Sequence, residues 1–98
     1  MTDQITDEMA KKGYYVFGLT GEAGEVADHF KKMIRDDNGH FTPARSELIK
    51  KELGDVLWYV ARLSYRMGWT LDDVAETNLE KLASRQVRGV IGGSGDNR

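Results

Sequence analysis

Cysteine is absent from this 98-residue chain, which excludes disulfides, thiolate metal sites and cysteine nucleophiles together. Proline occurs once, at Pro43. No apolar run approaches the ~18 residues of a membrane span. The segment from Met1 to Lys12 is polar, carries three acids, Asp3, Asp7 and Glu8, and has no apolar run of the kind a secretory signal needs. A soluble, cytoplasmic protein is expected. Charge of one sign is lacking too: 16 acids stand against 14 bases for a formal net charge of −2, so no strong global field recruits nucleic acid or an anionic membrane. There is no arginine-rich arm and no basic-aromatic alternation. Neither nucleic acid nor membrane is expected as a partner. β-Alternation of useful length is missing as well, and the fold class expected is all-α.

What is present is helical periodicity. A polar lead-in from Asp3 to Lys12 is followed by Gly13 as an expected break. A helix from about Tyr14 to Arg35 then carries Val16, Leu19, Ala23, Val26, Phe30 and Met33 at 3-and-4 spacing. Asp36-Asp37-Asn38-Gly39 is a stop and turn signal. Thr42 suits an N-cap and Pro43 the first turn of a second helix, which reaches Met67 before Gly68. The third helix opens at Thr70, with Asp73 three residues on as in a capping box, and fades near Val87. Residues 1–88 are read as one helical domain and residues 89–98 as a glycine-rich tail. A chain this short buries roughly 60–68% of its unfolded surface. Each helix has a broad apolar face, so a helical bundle completed by homo-oligomerisation, as a dimer or tetramer, is expected.

Two copies of one pattern carry the chemistry. Glu22-Ala23-Gly24-Glu25-Val26 and Glu52-Leu53-Gly54-Asp55-Val56 both read Glu-x-Gly-acid-Val. Acids three apart share a helical face, so Glu22 with Glu25 and Glu52 with Asp55 form two carboxylate pairs. In each helix the pair borders the apolar stripe. Antiparallel packing through those stripes lets the acids face each other across the seam. Four hard oxygen donors without imidazole or thiolate suit Mg²⁺, or Mn²⁺, better than zinc or iron. Converging carboxylates repel one another in a partly buried seam unless a cation is present. Isolated acids of this kind are usually ordinary surface, and the matched duplication is what argues for a metal site. Glycine inside a helix costs ~1 kcal/mol relative to alanine. Gly24 and Gly54 at matched places therefore suggest close approach of a backbone or ligand.

Seven residues beyond the acids stand two rings, His29 after Glu22 and Tyr59 after Glu52. Both are expected on the acidic face, Tyr59 as a substrate contact or a packing residue, His29 mainly as an edge residue. Asn78, Lys81 and Arg85 form a stripe on the third helix, beside Val74. Alone this reads as a solvated face; next to a Mg²⁺ site it reads as a phosphate-binding set, with arginine able to hold two oxygens at once.

These residues bear a resemblance. Gly18-Leu19-Thr20-Gly21-Glu22-Ala23-Gly24-Glu25-Val26 and Glu52-Leu53-Gly54-Asp55-Val56-Leu57-Trp58-Tyr59, followed by Asn78-x-x-Lys81-Leu82 and Arg85, are similar to the signatures of the MazG-like all-α nucleotide pyrophosphohydrolases. The likeness spans Gly18 to Arg88. Two departures stand out: Gly21 occupies a position where many members carry a further glutamate, and the segment before Gly18 is shorter than their long first helix. The resemblance implies that Glu22, Glu25, Glu52 and Asp55 bind Mg²⁺ and that Asn78 and Lys81 hold a nucleotide. It places Tyr59 where some members contact base or sugar. It also implies cleavage of nucleoside triphosphates to monophosphate and pyrophosphate, in nucleotide-pool cleansing, by dimers or tetramers whose sites are enclosed by helices of two chains.

The expected chemistry is metal-assisted hydrolysis of a phosphoanhydride, with Glu22 or Glu25 orienting or deprotonating water and with Lys81 and Arg85 offsetting phosphate charge. A non-catalytic helical module that binds a nucleotide or a partner is the alternative. A di-iron carboxylate protein ranks last, because the Glu-x-x-His motif of such bundles is missing.

Overall fold

The computed structural model describes residues 6–89. They form three helices, α1 (Asp7–Asp36), α2 (Pro43–Arg66) and α3 (Leu71–Arg88), and no strand occurs among them. The fold is all-α. One boundary differs from the sequence expectation: Gly13 does not break the first helix, and the lead-in and main segment are one 30-residue helix. The ~1 kcal/mol cost of an interior glycine is small against the packing that α1 gains along α2. The helix instead begins where a cap exists. The hydroxyl of Thr6 accepts from the Met9 N–H at 3.1 Å, with Asp7 and Glu8 in the first turn favourably placed for the helix dipole. The expected tail lies outside the described residues except for Gly89, which caps α3 in the left-handed conformation at φ 73°.

The other boundaries follow their caps. Asn38 and Gly39 both take positive φ, at 56° and 77°, a conformation that asparagine and glycine tolerate best. Thr42 accepts from the Arg45 N–H at 3.1 Å with Pro43 in the first turn of α2. Gly68, at φ 82°, turns the chain toward Thr70, which forms a reciprocal capping box with Asp73.

α1 and α2 pack as an antiparallel hairpin. As the residue number on α1 rises, its partner on α2 falls: Glu8 meets Arg66, Gly18 meets Tyr59, Glu22 meets Glu52, and His29 meets Arg45. α3 packs on α2, and its Val74 lines a groove in common with Lys12, Val16 and Leu19 of α1. The single chain encloses little. Met33 is the one buried apolar residue among those described, while Phe17, Ile34, Leu57 and Leu79 are each more than 60% exposed. No helix among the described residues is long and apolar enough to cross a membrane.

Candidate metal centre at the helix seam

The hairpin brings the acidic motifs together midway along its length. Glu22 from α1 and Glu52 and Asp55 from α2 each offer one carboxylate oxygen, and these oxygens lie within 4.8 Å of one another. Glu22 and Glu52 are half-buried and Asp55 is exposed. The carboxyl of Glu22 is pushed above its ordinary range, first by a hydrogen bond shared with Glu52, then by burial and by the charges of Asp55, Glu52 and Glu25. Crowded carboxylates favour uptake of a proton or a cation that offsets their mutual repulsion.

The donor set fits a hard divalent ion. Mg²⁺ takes oxygens at about 2.1 Å, so ligands on opposite sides of the ion are about 4.2 Å apart. A spread of up to 4.8 Å closes to that by small side-chain rotations. Glu22, Glu52 and Asp55 could hold such an ion and would leave coordination positions open. Glu25 is the departure from the expected set of four. It is exposed and outside the three-oxygen cluster, yet close enough for its charge to raise Glu22.

Tyr59 stands beside the acids. Burial, a hydrogen bond and charge repulsion involving Tyr14, and the charges of Glu22 and Asp55 push its phenol upward, so the ring stays neutral and able to donate. Its position depends on Gly18, the first residue of the acidic signature: a Cβ there would collide with the Tyr59 ring. Gly24 and Gly54 behave differently from expectation. A Cβ at either meets nothing within 4 Å, so no part of the described chain makes the close approach there.

His29 was expected mainly as an edge residue and is instead buried, with Nε2 3.7 Å from Oε1 of Glu52. Its Nδ1 lies 3.2 Å from a guanidinium nitrogen of Arg45, and Nε of Arg45 donates to Asp37 at 3.0 Å. The heptad spacing from Glu22 pointed toward His29; nothing local in sequence pointed to Arg45 or Asp37, because both are brought in by the hairpin turn.

The α3 residues do not join the acids within one chain. Asn78 and Lys81 line a separate groove of about 430 Å³ together with Trp69, Asp73, Val74 and Thr77. Arg85, expected on the same stripe, is buried at 3% exposure, whereas Asn78 is exposed and Lys81 half-buried. On the other side of the acids, Arg62 lies over the rings of Tyr15, Trp58 and Tyr65 at 5.5–5.9 Å. Hydrogen bonds from Arg62 and Arg66 hold the Tyr15 phenol below its ordinary range. These contacts make an aromatic-cationic flank on the hairpin.

Comparison with known proteins agrees with the geometry. The chain is 48% identical over 92 residues to the gene 37 protein of Mycobacterium phage L5, a match covering 94% of this chain and 81% of that protein. No solved structure matches. The MazG nucleotide pyrophosphohydrolase domain matches residues 13–89, a span that contains both acidic motifs and all three helices but for the first turns of α1, and the chain therefore belongs to the MazG nucleotide pyrophosphohydrolase family.

Proposed function

We propose that this protein is a Mg²⁺-dependent pyrophosphohydrolase that converts nucleoside or deoxynucleoside triphosphates to monophosphate and pyrophosphate, in a cleansing role toward the nucleotide pool. The observation that carries the proposal is the meeting of Glu22, Glu52 and Asp55 at one point of the seam in a chain of this family. Mn²⁺ has the same hard-donor preference and is expected to substitute.

Glu22, Glu52 and Asp55 would hold the metal, which when bound polarises phosphate oxygens and lowers the pKa of a ligated water. Glu25 is the better placed of the two candidate bases. It lies outside the ligand set and one turn from Glu22, so it is free to take a proton from water as the water oxygen adds to the α-phosphorus. The bond to the bridging oxygen then breaks and pyrophosphate leaves. Tyr59, kept neutral, can donate to a phosphate or sugar oxygen from beside the cluster.

Asn78 and Lys81, with Arg85 behind them, are assigned to substrate binding through a second copy of the chain. Asn78 and Lys81 line a groove apart from the acids of their own chain, and the exposed faces around Phe17, Leu57 and Leu79 need a covering surface. A homodimer or tetramer that lays α3 of one protomer over the seam of its partner meets both needs. The test is pyrophosphate release from a panel of canonical and modified triphosphates, with Mg²⁺ and with EDTA. Metal-dependent release is expected. A folded, oligomeric sample silent across the panel would overturn the catalytic reading in favour of a nucleotide-binding module.

A further inference from the structure

The functional reading leaves unused a line of side chains that ends on Glu52. It begins at Asp37, where α1 stops, and at Arg45 in the first turn of α2. Their ion pair is short, at 3.0 Å, and both side chains are less than 20% exposed, so the guanidinium is well held. Its Nη1 lies 3.2 Å from His29 Nδ1. A guanidinium has donors and no acceptor. The Nδ1 atom must therefore accept, and the neutral ring carries its proton on Nε2, the nitrogen 3.7 Å from Oε1 of Glu52. At that separation the ring proton and the carboxylate attract each other just beyond hydrogen-bond range.

We propose that His29 is a positioning residue for Glu52. Its Nε2–H holds the carboxylate in the orientation that meets Glu22 and Asp55, while Arg45 and Asp37 fix the tautomer that makes this possible. Groups behind a metal ligand commonly set its orientation in this way, and their loss costs about 10–100-fold in metal affinity. The proposal rests on the reading of Glu22, Glu52 and Asp55 as a cation site. A histidine that merely filled space would need its contact with Arg45 and no proton aimed at Glu52.

The two roles separate by substitution and by a readout that needs no turnover. His29→Asn keeps an acceptor near Nδ1 for Arg45 but cannot reach Glu52. His29→Gln places an amide donor near the position of Nε2. Titration of the full, nucleotide-free chain with Mn²⁺ by calorimetry is expected to show binding by wild type, weakening of about 10–100-fold in His29→Asn, and recovery of most of that loss in His29→Gln. Equal affinity of His29→Asn and wild type overturns the positioning role alone, as does a His29→Gln variant as weak as His29→Asn. Nitrogen NMR of the wild-type imidazole decides the tautomer without any variant: a proton on Nδ1 overturns the proposal even if the variants do not fold. Wild type that fails to bind Mn²⁺, indistinguishable from Glu52→Gln, overturns the cation site itself and the proposal with it.

Discussion

Replacing Gly18 with alanine sets two known effects against each other at one position. Gly18 lies inside α1, where alanine is worth about 1 kcal/mol more than glycine through helix propensity. The new Cβ would also fall within the Tyr59 ring, and the resulting overpacking costs about 1–3 kcal/mol. Subtracting the propensity gain from the overpacking cost, the net expectation is destabilisation of about 0–2 kcal/mol. Gly24→Ala is the internal control. It sits in the same helix with nothing within 4 Å of its Cβ, so it should stabilise by about 1 kcal/mol. Urea unfolding followed by far-UV circular dichroism, at matched protein concentration, measures both. For a domain of this size 1 kcal/mol also moves the melting temperature by roughly 4–8 °C. In a Tyr59→Ala background the ring is gone, and Gly18→Ala should become stabilising by about 1 kcal/mol. A Gly18→Ala variant that stabilises as much as Gly24→Ala in the wild-type background would refute the packing argument. Destabilisation by Gly24→Ala would show that something outside this chain's described residues occupies the open space.

Glu52→Gln should abolish metal-dependent pyrophosphate release with helicity unchanged; near-wild-type turnover would sink the site assignment. Glu22 has a folded-state pKa raised above its usual value of 4.5, so its contribution to stability is fully present below that value and is lost as pH rises through the folded pKa. Glu22→Gln should accordingly raise the melting temperature of the metal-free protein at neutral pH and flatten this part of its pH profile, while removing the stabilisation by Mg²⁺ expected of wild type. An unchanged profile would mean that the carboxylates do not crowd. Thr70→Ala removes the α3 capping box and should cost about 1 kcal/mol by chemical denaturation; a neutral result would mean that α3 contributes little to the cooperative unit.

Much of the architecture is written locally. Caps such as Thr42 and Thr70 need only their own first turns, and the Asn38-Gly39 turn needs only residues that accept positive φ. These were legible because short-range sterics and hydrogen bonding decide them. The Gly13 break was misread because a local penalty of about 1 kcal/mol is outweighed by contacts with a helix some fifty residues away in sequence. The spacing of acids along each helix was legible for the same local reason, whereas their convergence is a property of two helices together.

The sequence by itself determined three helices and the two acidic faces, since 3.6-residue periodicity and caps act within one element. Only the tertiary structure decided that Glu22, Glu52 and Asp55 meet while Glu25 stays outside, that Tyr59 leans on Gly18, and that Asp37, Arg45 and His29 line up behind Glu52. Each of those depends on the register of one helix against the other. That register is set by packing along the whole seam, and no local pattern encodes it.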